Sequence, residues 1–211
     1  MKVIVIIGAS SGIGRQVAVE MAPDGHSFYL IGRNEERLRE VKSAVEDLGG
    51  KAVIGIGDVS KETNVDKHFN QIHKSLGRVD VLIANAGVGY FGNLEDLTIE
   101  EYDKQFDTNV RGVFLYLKKA LPGMKKRNSG QIIVTSSNQG LETSARASIY
   151  AATKHAVQAI VWSLREELKG TNVKAATINP GSVSTPWFDG KDVDRSKMLT
   201  ADDVAKAFRA I

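Results

Sequence analysis

The chain alternates short apolar runs with longer segments whose apolar positions recur every three or four residues. Val3 to Ile7 is an unbroken β-branched run, the pattern of a strand covered on both faces. Comparable runs return at Ser27 to Ile31, Lys51 to Ile56, Val79 to Ala84, Gln131 to Thr135 and Asn172 to Ile178. Helical periods lie between them. Leu38, Val41, Val45 and Leu48 define one buried face, with Asn34 as its cap and Gly49-Gly50 as its stop. Val65, Phe69, Ile72 and Leu76 define the next, capped by Ser60 and stopped by Gly77. Thr98-Ile-Glu-Glu101 reads as a capping box opening a helical region that runs, with a break, to about Lys126. Asn109 falls inside it. An amide there is a poor helix former and predicts a local backbone irregularity with a polar task, unless it simply faces solvent. A helix carrying Tyr150 runs to about Lys169, and Thr200-Ala-Asp-Asp203 opens a last one.

Strands alternating with helices, without repeat or linker, predict a single α/β domain over residues 1–211, a doubly wound, mainly parallel, Rossmann-like sheet. Such sheets take ligands beyond the carboxyl ends of their strands. Gly8-Ala-Ser10-Ser11-Gly12-Ile13-Gly14 follows the first strand and opens a helix. Glycines in that setting let the backbone approach a pyrophosphate, which the helix N-terminus then stabilises. Asp58-Val59, Asn85-Ala86-Gly87, Ser137 and Pro180-Gly181 fall at other strand ends, so the candidate ligand contacts converge on one rim. The second strand ends at Gly32-Arg33, where a site for NAD would place a carboxylate against the ribose hydroxyls. A guanidinium forks onto phosphate oxygens, so Arg33 predicts NADP(H), with Arg15 adding positive field. Trp187 to Leu199 is irregular, and reads as either a substrate-covering loop or an exposed connection.

The candidate chemistry sits in Tyr150-Ala-Ala-Thr-Lys154, with Ser137 thirteen positions before the tyrosine. On a helix, the phenol and the ammonium lie one turn apart on the same face. The ammonium favours the phenolate, which draws the tyrosine pKa down towards working pH and suits it to proton transfer. Ser137 could hold a carbonyl or alcohol oxygen. Tyr90, Phe91, Trp187 and Phe188 predict a partly apolar substrate pocket.

Composition narrows the field. There is no cysteine, which excludes a disulfide framework, a thiolate nucleophile and Cys-based metal sites. His26, His68, His73 and His155 are too scattered for a metal site and read as structural or surface residues. The net charge is only +3 and the longest basic run is Lys125-Lys126-Arg127, which argues against a nucleic-acid partner. The first apolar run is too short for a signal peptide or a membrane span. The expectation is a soluble cytoplasmic protein without a membrane partner.

With these residues in view, the chain resembles the short-chain dehydrogenase/reductase family over nearly its whole length. The resemblance rests on Gly8-x-x-x-Gly12-Ile13-Gly14, Asp58-Val59, Asn85-Ala86-Gly87, Asn109, Ser137, Tyr150-x-x-x-Lys154 and Pro180-Gly181-x-Val183-x-Thr185, in the family's order. It implies that Tyr150 is the acid/base and that Lys154 lowers its pKa and binds the nicotinamide ribose. Ser137 would steady the substrate carbonyl, and Asn109 would hold a water that relays protons. Asp58 would contact the adenine, and Val183 to Thr185 would face the carboxamide. Ile7 and Ala84 depart from the family's usual Thr and Asn at scaffold positions. Relatives usually continue through a fuller last helix and a seventh strand. The implied protein is a homodimer or homotetramer, paired through helices at about Asn109 to Lys126 and Tyr150 to Lys169. It would be an NADP(H)-dependent carbonyl reductase or alcohol dehydrogenase acting on a small-molecule substrate. A cofactor-binding regulatory or scaffold protein on the same fold is the alternative. A hydroxy acid, a sugar, a fatty ketoacyl group and a steroid all remain open as substrates.

Overall fold

Unbroken apolar runs need cover on both faces, and helices on the two sides of one sheet provide it. In the computed structural model, which describes residues 1–211, the main strands are β1 (Val3–Ile7), β2 (Ser27–Gly32), β3 (Lys51–Ile56), β4 (Val81–Ala84), β5 (Gly130–Thr135) and β6 (Val173–Ile178). They form one sheet in the order β3-β2-β1-β4-β5-β6, and every pairing is parallel. β1 pairs with β2 from Val3↔Ser27 to Ile7↔Ile31, and with β4 from Ile4↔Val81 to Ile7↔Ala84. The winding direction reverses between β1 and β4, the crevice where a doubly wound sheet accepts a ligand.

The helices are α1 (Gly12–Met21), α2 (Glu35–Asp47), α3 (Glu62–Ser75), α4 (Ile99–Phe106), α5 (Gly112–Arg127), α6 (Ser148–Glu167) and α7 (Ala201–Ala210). Successive strand residues point to opposite faces. Ile4, Ile6, Phe28 and Leu30 therefore meet Val17, Leu38, Val41 and Phe208 on one side. Val5, Ile7, Tyr29 and Ile31 meet Val65, Phe69, Tyr116 and Val157 on the other. α7 lies against α1. Arg209 reaches back to Glu20 (3.3 Å) and to Asp24 (2.7 Å). None of the helices is long and apolar enough to cross a membrane.

Local differences from the sequence reading have physical causes. Leu48 is not on the buried face of α2; it sits past the last turn and is 44% exposed. Ser60 does not cap α3, because its backbone N–H and its hydroxyl both donate to the Asp58 carboxylate, at 2.9 and 2.8 Å. Lys61 takes the capping position without a side-chain bond. β4 starts at Val81, and the Asp80 carboxylate just before it accepts from Val3 N–H (2.9 Å). Asn109 lies in a widened π turn, Asp107–Arg111, between α4 and α5, the irregularity its amide predicts. His68 is structural, its Nδ1 2.6 Å from the Tyr116 hydroxyl and its Nε2 3.2 Å from the Ile56 carbonyl. A small parallel pair, β7 (Val183–Ser184) with β8 (Leu199–Thr200), escaped the sequence reading because each member is only two residues long. It ties both ends of the segment 185–198 together.

Candidate active site

The carboxyl ends of the strands surround a cavity of about 750 Å³. Its wall includes Gly8, Ser10, Ser11, Gly12, Ile13, Arg33, Asp58, Val59, Asn85, Ala86, Gly87, Ser137, Tyr150, Lys154, Pro180, Gly181, Val183 and Thr185. Two singled-out residues stand behind that wall. Gly14 is buried under the loop, where a Cβ would press on the Gly8 carbonyl and on the Asn85 amide (2.8 Å). Asn109 is 1% exposed.

Gly8 follows β1 with φ +81°, a region that favours glycine, and an added Cβ would stand 2.7 Å from the Ala86 backbone. The β1 and β4 turns are thus pressed together at the switch point. Ser11 stands at the N-cap of α1 without bonding that helix's own amides, and no acidic residue occupies its first turn. The first amides of α1 therefore keep their hydrogens for a ligand.

Arg33 and Arg37 border one end of the cavity. Arg37 was not foreseen. Its backbone N–H donates to the capping Asn34 side chain at 2.9 Å, so the cap places its side chain on the first turn of α2. Arg15 is exposed and does not line the cavity, because α1 turns it outward. Burial pushes the Asp58 carboxyl up, but hydrogen bonds from Ser60, with Lys61 and Arg33 nearby, more than offset this and leave it below its usual range.

At the other end, Tyr150 lies in the first turn of α6. That is the positive end of the helix dipole. Its ring centre is 5.1 Å from that of Phe91 and 6.0 Å from that of Trp187. One turn on, the Lys154 ammonium stands 5.6 Å from the Tyr150 ring centre and donates to the Thr135 carbonyl at 3.0 Å. Ser137 has extended backbone; its hydroxyl donates to Asn138 Oδ1 (3.0 Å) and accepts from Gln139 N–H (3.2 Å). Asn138 is a further residue that sequence spacing did not single out. Tyr90 does not join the pocket: its N–H donates to Gln105 Oε1 at 3.2 Å and its ring faces Lys104.

The electrostatics correct one expectation. Burial raises the Tyr150 phenol above its usual 10.0, and the Ser137 hydroxyl offsets this only in part. Lys154 is itself buried, which lowers its amine to about 8. In the protein without ligands, desolvation of the phenolate therefore outweighs the hydrogen bond from Ser137. No cluster of His, Asp and Glu is arranged to hold a metal ion.

A family model described as short chain dehydrogenase matches residues 2–195. The chain belongs to that family. An uncharacterised oxidoreductase of Staphylococcus epidermidis is 36% identical over 206 residues, which is 98% of this chain and 88% of the relative. One of Staphylococcus aureus is 34% identical with the same coverage. Among solved structures, the fold is similar to an alcohol dehydrogenase of the archaeon Thermococcus sibiricus complexed with 5-hydroxy-NADP. That match has 33% identity and a TM-score of 0.92, over 100% of this chain and 89% of the other. It is likewise similar to a short-chain dehydrogenase/reductase of Burkholderia phymatum in complex with NAD, at 28% identity and a TM-score of 0.92, over 99% and 85%. Short-chain dehydrogenases are oxidoreductases of small molecules that use a nicotinamide cofactor, so this chain is one by family.

Proposed function

We propose that the protein is an NADP(H)-dependent carbonyl reductase or alcohol dehydrogenase. The observation that carries this reading is that Ser137, Tyr150 and Lys154 share one cavity wall with Gly8, Ser10 to Ile13 and two arginines. A dinucleotide suits that cavity. Gly8 and Gly12 put no side chain at the approach, and the α1 amides are free for phosphate oxygens. Arg33 and Arg37 would face a 2′-phosphate. Asp58 and Val59 would border the adenine, Asn85 to Gly87 and Pro180-Gly181 would flank the dinucleotide, and Val183 and Thr185 would border the nicotinamide. A bound nicotinamide would supply or accept the hydride.

The chain's own residues handle orientation and the proton. Ser137 turns its hydroxyl from Asn138 to the substrate oxygen. Tyr150 gives that oxygen a proton in reduction and removes it in oxidation. Lys154 supports the phenolate by its charge and binds the nicotinamide ribose. The Asn109 side chain is fully engaged with Val88 and Thr153, so a proton-relaying water would be held by its backbone carbonyl. The aromatic wall of Phe91 and Trp187 suits an apolar substrate body. Phe114 on α5 and Trp162 on α6 are 51% and 53% exposed. These aromatic residues suit the pairing of two copies through α5 and α6, as a homodimer or homotetramer.

The deciding experiment is a panel of ketones and secondary alcohols read by NADPH absorbance. Turnover of at least one carbonyl compound is expected. Cofactor binding with no turnover across the panel would leave a binding protein instead of an enzyme.

A further inference from the structure

The segment 185–198 brings one charged side chain to the cavity, Lys191. Its ammonium stands 5.7 Å from the Phe91 ring centre, 5.7 Å from that of Trp187 and 5.6 Å from that of Phe188. These are cation–π distances. Phe91 and Trp187 are the same two rings that flank Tyr150. A chain of contacts thus runs from the proposed proton donor, across an aromatic wall, to a positive charge.

That charge has no anion. Asp189, on the same segment, pairs with Arg195 at 3.0 Å. Asp194 accepts from Ser196 N–H at 2.9 Å. Asp192, next in the chain to Lys191, is exposed and does not line the cavity. Lys191 makes no ion pair, and no carboxylate lines the cavity at this end. The remaining charged groups of the wall are accounted for. Arg33, Arg37 and Asp58 lie at the far end, and Lys154 donates to Thr135. Ring faces stabilise an ammonium without neutralising it. Its hydrogens remain available for a charge-assisted bond, a stronger contact than a neutral one.

We propose that Lys191 selects the substrate, and that the substrate is a carbonyl compound whose apolar or aromatic body carries a carboxylate. The body lies against Phe91 and Trp187, the carbonyl meets Tyr150, and the carboxylate meets Lys191. This rests on the carbonyl reductase reading. Specificity here is a difference in affinity: a neutral ketone gains the aromatic wall but leaves the ammonium to water.

The test compares 4-acetylbenzoate with its methyl ester, which share ring and ketone and differ in charge. Two readouts are taken. One is kcat/KM with NADPH. The other is binding in the presence of NADP+, followed by fluorescence of Trp187; Trp162 is remote on α6. The parent is expected to favour the carboxylate by about tenfold or more, and to lose part of that preference as salt screens the contact. Lys191→Met should bring the ratio close to one, Lys191→Arg should keep it, and Lys191→Glu should invert it. A parent that favours the ester, or a Lys191→Met variant with the parent's ratio, overturns the proposal. So does equal weakening of both compounds in Lys191→Met, which would mean that Lys191 only orders the segment. Lys191-dependent binding of the carboxylate without turnover would uphold the anion site and refute carbonyl reduction. Turnover without dependence on Lys191 would do the reverse, and neither binding nor turnover of either compound would refute both.

Discussion

Tyr150 is held between opposing influences. Burial resists the phenolate, while the helix dipole, Ser137 and Lys154 favour it. If it is the acid/base, Tyr150→Phe keeps the ring contacts with Phe91 and Trp187 but has no proton to move. Turnover should fall by a factor of about 100 or more while cofactor still binds by fluorescence titration. The sign of the pH dependence follows. Alcohol oxidation needs the phenolate, and burial puts the phenol above 10.0. The oxidation rate should therefore climb from neutral to alkaline pH, and ketone reduction should decline over the same range. Lys154 loses its charge at about 8, so the measured midpoint belongs to the pair and not to either residue. A flat oxidation profile would remove Tyr150 from the role. Arg33 is the second residue-scale case. The chain carries Gly32 where an NAD site uses a carboxylate, and an added Cβ there would stand 3.1 Å from Ser10. NADPH should be preferred over NADH by at least about tenfold in kcat/KM, a difference of about 1.4 kcal/mol. Arg33→Ala should cost NADPH more than NADH. Equal losses would show that the 2′-phosphate is read elsewhere, with Arg37 the next residue to substitute.

Among the elements, the π turn between α4 and α5 has the clearest structural task. Asn109 accepts from Val88 N–H at 2.8 Å and donates to the Val88 carbonyl at 2.8 Å and to Thr153 Oγ1 at 3.0 Å. One amide thereby fixes the loop after β4 to α6, the helix that carries Tyr150 and Lys154. Asn109→Ala would strand both backbone groups of Val88, at about 1–3 kcal/mol for each that water does not reach. A clear drop in thermal midpoint is expected by calorimetry, together with a loss of kcat. An unchanged midpoint would mean that the loop holds without the amide. This irregularity was legible because a poor helix former inside a helical period needs a reason. The caps at Thr98 and Thr200 were legible for the same kind of local reason, and both make complete capping boxes. Ser60 was misread because α3 starts one residue later and the Ser60 hydroxyl donates to Asp58 instead of accepting from a helix amide, which the sequence does not reveal. Asn138 and Arg37 were invisible for a related cause. Each acts through a turn whose direction depends on tertiary packing.

For the molecule as a whole, the parallel sheet was the easiest feature to read, since strands covered on both sides leave no polar alternation. The gathering of distant turns onto one rim followed from that topology. The segment 185–198 was only partly readable: its aromatic residues signalled a pocket, but its closure by β7 and β8 depends on pairing too short to leave a pattern. Assembly is the prediction at this scale. A homodimer through α5 and α6 should show by light scattering at micromolar concentration, and Trp162→Glu should shift it towards monomer. A parent that scatters as a monomer would refute that pairing. The seating of α7 on α1 has a consequence for how the protein is made. The helix that begins at the glycine turn emerges early from the ribosome, while Val204, Ala205 and Phe208, which share a core cluster with its Val17 and Ala18, follow much later. The side-chain bonds from Arg209 to Glu20 span 189 positions. At ordinary elongation rates that is a wait of roughly 10–40 s. During it the apolar side of α1 that α7 later covers is open to chaperones.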